Sequence, residues 1–109
     1  MGEDDIVQFQ QVQQQIQVLL MQKQNIQLQK AEVENALSEL EKSEEDNVFE
    51  IVGNVMIKKS KKDVLTALKE KKELLDLRIS TIEKQTEKLN EKAVKLQKKL
   101  AENLKKSKK

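Results

Sequence analysis

The sequence predicts a fold dominated by α-helix: a long antiparallel coiled coil of two helices with a central β-hairpin. Apolar residues recur at alternating spacings of three and four in both halves of the chain, the heptad pattern of coiled coils. Between the halves lies "NVFEIVGNVMIKKS" at 47–60, which is rich in valine and isoleucine. With 109 residues, of which 37% are charged and 2% aromatic, the chain makes at most one domain and is poor material for a globular core.

The first helix is predicted at about residues 5–44. The acidic residues of "GEDD" suit the positive end of its macrodipole, and eleven glutamines lie between Gln8 and Gln29. Eight of the ten heptad positions are apolar, which favours a helix over a disordered glutamine-rich segment. These positions are Phe9, Val12, Ile16, Leu19, Lys23, Ile26, Lys30, Val33, Leu37 and Leu40.

The second helix is predicted at about residues 61–106. Ser60, three residues before Asp63, is close to the Ser-x-x-Glu capping box at a helix start. The heptad positions that follow are Leu65, Leu68, Lys72, Leu75, Ile79, Ile82, Thr86, Leu89, Ala93, Leu96 and Leu100. Residues 1–45 carry 3 basic and 9 acidic side chains, net −6, and the remainder carries net +8, so the two halves favour lying against each other.

One antiparallel register aligns the two apolar stripes, with partner numbers that sum to 105. Six of the ten resulting layers are apolar on both sides, and the lysines in mixed layers are expected to extend their ammonium groups to water. The last good layer is Phe9 with Leu96. The next would pair Asp5 with Leu100, so we expect the seam to degrade there.

The segment at about residues 47–59 is predicted to be a β-hairpin. Gly53 and Asn54 form a two-residue turn signal between strands rich in β-formers. One face carries Val48, Val52, Val55 and Ile57 around Glu50 and Lys59, and the other carries Phe49, Ile51 and Met56 beside Lys58. An isolated hairpin is marginal in water. We expect the chain's own helices to cover one face and another chain to cover the rest, which makes the hairpin an assembly element.

Composition excludes several classes of site. The chain has no Cys and no His, which removes disulfides, thiol nucleophiles, histidine bases and Cys/His zinc sites. Its carboxylates lie on predicted exposed helix faces, so we expect neither an enzyme nor a cofactor. The start "MGEDD" does not resemble a signal peptide, and the apolar run "VLLM" at 18–21 is far shorter than the roughly 20 residues of a spanning helix. The expected location is the cytoplasm, without a membrane partner.

The order of these elements resembles the β-class subunit of prefoldin, an archaeal and eukaryotic co-chaperone. The resemblance covers nearly the whole chain, which would make residues 1–109 a single prefoldin-like domain. It is carried by the hairpin with Gly53 and Asn54, by "LRISTIEKQ" at 77–85 and by the Gln-rich "FQQVQQQIQVLLMQKQ" at 9–24. A single hairpin fits the β class, because the α class has two.

The resemblance implies a function and partners. Prefoldins are hexamers of two α and four β subunits whose hairpins join into β-barrels. The tips of their coiled coils hold unfolded chains and deliver them to a group II chaperonin without ATP. The residues that match the assembly region here are Val48, Phe49, Ile51, Val52, Val55, Met56 and Ile57.

Client binding is expected at the chain ends, which correspond to the tips. The candidate residues are Ile6, Val7, Phe9, Val12, Leu96, Leu100 and Leu104. Apolar side chains on a Gln-rich terminus can adapt to many apolar segments. For Phe9 and Leu96 the alternative is that they form the last packed layer. The off-stripe residues Val18, Leu20, Met21 and Leu28 are either functional surface or ordinary exposed apolar residues.

Two other functions compete with this one. The tail "KKSKK" at 105–109 could contact phosphates, but no aromatic residue accompanies it for base stacking, so we expect no nucleic-acid partner. The second is a structural or adaptor coiled coil whose hairpin builds a fixed complex that binds no clients. Prevention of aggregation of a denatured protein distinguishes it from a chaperone.

Overall fold

Two long helices joined by a hairpin make up the chain, as a computed structural model describes it for residues 2–107. The elements are α1 (Gly2–Lys42), β1 (Asn47–Val52), β2 (Val55–Ser60) and α2 (Lys61–Ser107). The predicted fold class is therefore confirmed. Met1 and the last two tail lysines, Lys108 and Lys109, lie outside the described residues. Within the described part, neither helix is long and apolar enough to cross a membrane.

Local interactions fix the helix ends. Three acidic residues lie in the first turn of α1 and Lys42 lies in its last, each at the end of the helix dipole that stabilises it. At the start of α2, the backbone N–H of Asp63 donates to Ser60 Oγ at 3.3 Å, so the predicted capping interaction is confirmed.

Lys61 closes the base of the hairpin. Its backbone N–H donates to the carbonyl of Asp46 at 2.8 Å, which links the residue before β1 to the residue after β2. Its ammonium group also donates to the carbonyl of Ser43, just beyond the end of α1. Both ends of the linker at 43–46 are thereby tied to one residue, and the bond to Ser43 satisfies a carbonyl that the end of α1 leaves without a helical partner.

The chain divides into two compact units. The terminal unit joins the described residues up to Asn25 with those from Ile79 onward, and the hairpin unit is Ile26–Arg78. In each unit, all positions of the two predicted stripes are buried or half-buried, whereas most positions between them are exposed. The most buried apolar residues are Val12, Ile82 and Leu96 in the terminal unit and Ile26, Val33, Leu37 and Leu75 in the hairpin unit. The heptad prediction is confirmed.

Lysines at the seam form ion pairs rather than only reaching water. Three pairs join the Nζ of a seam lysine to a carboxylate oxygen of the other helix: Lys23–Glu83 at 3.8 Å, Lys30–Asp76 at 2.6 Å and Lys72–Glu34 at 3.9 Å. The hydrogen bond to the Asp76 side chain raises the pKa of Lys30, and the charges of Asp76 and Glu34 add to the effect against partial desolvation. The lysine stems can therefore occupy the seam while their charged ends are paired.

Candidate functional site

The hairpin adopts the predicted register. β1 and β2 are antiparallel, with Val52 opposite Val55 and Ile51 opposite Met56. Gly53 has φ of 60°, in the left-handed region that favours glycine, as the two-residue turn requires. Cross-strand pairing places side chains on two faces, and the face carrying Glu50 also carries Lys59, which forms an ion pair with it.

Both faces of the hairpin are open to solvent. Of the predicted assembly residues, Val48 is half-buried. The other six are exposed: Phe49 at 60%, Ile51 at 71%, Val52 at 53%, Val55 at 60%, Met56 at 64% and Ile57 at 40%. The expectation that the chain's own helices would cover one face is wrong. Among these residues, partial cover is limited to Val48 near the base of the hairpin, and those nearer the turn are exposed.

One face of the hairpin is formed by Phe49, Ile51 and Met56 beside Lys58. All three apolar side chains are at least 60% exposed. The opposite face carries the ion pair of Glu50 and Lys59 among its apolar residues. Because monomeric proteins seldom leave contiguous apolar surface uncovered, this arrangement is typical of an interface with another chain.

At the chain ends the seam continues past Phe9 and Leu96. Asp5 is 6% exposed and occupies the next position, and Leu100 is half-buried. The Asp5 carboxylate is tolerated there because Lys99 Nζ lies 3.3 Å from its Oδ1. The expected degradation at this layer is therefore wrong, since the ion pair compensates the buried charge.

The candidate client-contact residues fall into two groups. Ile6, Val7 and Leu104 are exposed by 46%, 49% and 62%. Phe9 and Leu100 are half-buried, and Val12 and Leu96 are buried at 3% and 8%. As packed here, Val12 and Leu96 offer no surface to another chain, because they fill the seam. Client contact therefore stays a prediction for the residues that have exposed surface, which are Ile6, Val7 and Leu104 and, in part, Phe9 and Leu100.

Two open grooves in the terminal unit were not foreseen. The glutamine groove is lined by Gln11, Gln14, Gln15, Val18, Leu19, Gln85, Lys88 and Leu89. The charged groove is lined by Leu20, Lys23, Glu83, Thr86, Glu87, Asn90, Glu91, Val94, Lys95 and Lys98. Within residues 2–107, no cluster of three or more carboxylates could hold a metal ion. The two grooves offer apolar contact, amide hydrogen bonding and charged side chains.

Sequence comparison identifies relatives along nearly the full length. A family described as "Prefoldin subunit" matches residues 3–107. The chain is 42% identical over 103 residues to prefoldin subunit beta of Methanothrix thermoacetophila, covering 94% of this chain and 86% of that one. It is 40% identical over 96 residues to prefoldin subunit beta of Archaeoglobus fulgidus, covering 87% and 83%.

Solved structures give the same result. The prefoldin beta subunit of Thermococcus strain KS-1 superposes with a TM-score of 0.87 at 36% identity, covering 94% of this chain and 91% of that one. The beta2 subunit of the same strain has a TM-score of 0.71 at 15% identity, covering 83% and 97%, which shows a shared fold.

Proposed function

The chain belongs to the prefoldin family of chaperone subunits, and from that premise we propose that it acts as an ATP-independent holdase: it binds unfolded proteins at the ends of its helices and delivers them to a group II chaperonin. The observation that carries the proposal is the exposure of Ile6, Val7 and Leu104 near the helix termini. Apolar side chains with this much exposed surface can bind the apolar segments of an unfolded chain.

Assembly is proposed to occur through the hairpin. The exposed face of Phe49, Ile51 and Met56 offers apolar side chains, and the strands offer backbone hydrogen bonds at their outer edges. Pairing between hairpins of several subunits would bury both the apolar side chains and the strand edges, and would form a β-barrel. We propose a hexamer of two α-class subunits and four copies of this chain, located in the cytoplasm.

Multivalency explains why weak terminal contacts suffice. Each exposed apolar side chain contributes on the order of 1 kcal/mol when it is covered. A complex that presents several helix ends at once converts the second and later contacts into intramolecular events, which raises the overall affinity without new contacts. Such binding requires no ATP, because release follows from the weakness of each contact.

The test replaces Ile6, Val7 and Leu104 together with glutamine, which preserves helix propensity. The assembled complex carrying this triple variant is mixed with a chemically denatured protein, and aggregation is followed by light scattering. Loss of three apolar contacts should weaken suppression by about tenfold or more.

The control replaces Met21, Leu28 and Val94 with glutamine, because these residues are 66%, 62% and 50% exposed but lie away from the proposed contacts. This control should suppress aggregation as the wild type does. Equal activity of both triple variants would contradict client binding at the termini. A wild-type complex that suppresses no aggregation would instead favour a structural or adaptor coiled coil.

A further inference from the structure

The glutamine groove has the composition of a peptide-binding site. Its apolar surface comes from Val18, which is 53% exposed, and from the half-buried seam residues Leu19 and Leu89. Val18 is off the heptad stripe and is not needed to join α1 to α2. Its exposed side chain therefore extends the apolar surface of the seam outward, to where another chain can reach it.

Amide side chains surround this apolar surface. Gln11, Gln14 and Gln15 of α1 and Gln85 of α2 line the groove, and all four are exposed. Each amide has both donors and an acceptor, so the group can bond to the N–H and C=O of an extended backbone. Binding sites with an apolar lining and a few convergent polar groups typically combine side-chain burial with orientation in this way.

Charge distinguishes the glutamine groove from the charged groove of the same unit. One of its eight lining residues, Lys88, is charged, whereas six of the ten lining residues of the charged groove are. The low charge of the α1 side of the groove comes from the sequence: residues 6–29 contain a single charged side chain, Lys23, in a chain that is 37% charged. None of the described residues that line the glutamine groove is acidic, so a cationic occupant would lose water there without gaining a partner, and a neutral one would not.

We infer that the glutamine groove is a second client-binding site, which takes an extended, uncharged segment of an unfolded polypeptide and covers one of its apolar side chains with Val18. This inference rests on the proposed holdase function and deepens it. Clients then contact the flank of the terminal unit as well as Ile6, Val7 and Leu104. The site selects segments by their lack of positive charge rather than by sequence.

A single-cysteine cross-linking experiment tests the groove, because the chain has no native cysteine. Gln14→Cys places a benzophenone maleimide in the glutamine groove, and Glu91→Cys places it in the charged groove; both positions are exposed. Each complex is illuminated with a biotin-tagged, end-capped peptide of leucine, serine and glutamine. The adduct is expected at Gln14→Cys, not at Glu91→Cys, and not with a peptide in which lysine replaces the serines.

A matched pair of variants measures the contribution of Val18. Val18→Lys and Val94→Lys make the same change at 53% and 50% exposed positions in the two grooves. Val18→Lys should weaken binding of the neutral peptide by about tenfold, the loss of roughly one covered valine, and Val94→Lys should leave it unchanged.

The outcomes separate this inference from the proposed function. If the wild-type complex suppresses aggregation but the two labelled positions react equally, or Val18→Lys binds as the wild type does, the groove is not a client site and the holdase function stands. A chain-to-chain adduct at Gln14→Cys in the absence of peptide would also overturn the inference, because a second copy would then cover the groove. If no aggregation is suppressed, the proposed function itself fails.

Discussion

Replacing Ile51 with lysine should dissociate the complex while leaving the helices intact. Ile51 is the most exposed of the hairpin's apolar residues, at 71%, and lies on the same face as Phe49 and Met56. It forms no part of either heptad stripe. The substitution therefore introduces a charge where the proposed interface needs an apolar surface.

The size of the effect follows from exposure. Full burial of an isoleucine side chain contributes about 1.5–3 kcal/mol, so its 71% exposed portion leaves roughly 1–2 kcal/mol for an interface. Burying an unpaired lysine ammonium adds a penalty of about 3–5 kcal/mol. Each copy would then lose on the order of 5 kcal/mol of association free energy, which weakens each hairpin contact more than a thousandfold.

Native mass spectrometry and circular dichroism measure the two halves of this prediction. At micromolar concentration the Ile51→Lys chain should no longer join a complex, and its helical signal should match the wild type. Leu28→Lys is the control, because Leu28 is 62% exposed but lies on a helix, and it should assemble normally. Normal assembly of Ile51→Lys would refute the assignment of this face to the interface.

Three further predictions concern stability. Asp5→Leu should raise the free energy of unfolding by about 1 kcal/mol, because an apolar residue replaces a buried charge. Lys99→Met should lower the free energy of unfolding, because the Asp5 carboxylate loses the ammonium group that lies 3.3 Å away. Urea titration of both variants measures these changes, and equal shifts would contradict the prediction. Gly53→Ala should lower the free energy of unfolding by about 1 kcal/mol through backbone strain at φ of 60° alone, since an added Cβ would meet nothing within 4 Å. In thermal unfolding, Gly53→Asn should lower the melting temperature less than Gly53→Ala does. An unchanged melting temperature for Gly53→Ala would contradict backbone strain at this position. Because the pKa of Lys30 is raised in the folded state, its bond to Asp76 stabilises the fold fully below the ordinary pKa of 10.5, and this stabilisation is lost as pH rises through the folded-state pKa. The difference in unfolding free energy between wild type and Lys30→Met should therefore persist at pH 9 and shrink well above pH 10.5. A difference that does not change with pH would contradict this prediction.

Much of the fold followed from periodicity. The spacing of apolar residues identified every position that became buried or half-buried along both stripes, because a heptad repeat keeps one face of each helix towards its partner. The turn at Gly53 and the cap at Ser60 were equally accessible, since each depends on a few adjacent residues. Local chemistry and periodicity thus carry most of this architecture.

Interactions across the seam were harder to predict. The acids that pair with the seam lysines, Glu34, Asp76 and Glu83, each directly follow a buried seam residue, a signal that a heptad count alone does not read. Asp5 looked like a break in the apolar pattern because its partner Lys99 is distant in sequence. The ion-pair partner of a charged residue on one helix can be identified only when the position of the other helix is known.

The extent of exposure could not be derived from the sequence either. The hairpin sequence indicates apolar side chains on both faces, but how much of either face the chain's own helices cover depends on where the helices lie relative to the strands, which a local pattern does not give. In the terminal unit, Val12 and Leu96 satisfied the composition of a contact site and are nonetheless buried. Core residues and binding-surface residues are both apolar in sequence, and only the packing of the folded chain distinguishes one from the other.

Native mass spectrometry tests most directly whether this chain is a subunit of a chaperone complex. The chain is co-expressed with a two-hairpin α-class prefoldin subunit, and spectra are recorded before and after addition of a chemically denatured protein. We expect a complex with the mass of two α-class subunits and four copies of this chain, which gains the mass of one client. A complex of that mass that never gains a client would contradict the chaperone function, and a chain that joins no complex would contradict the assembly role of the hairpin.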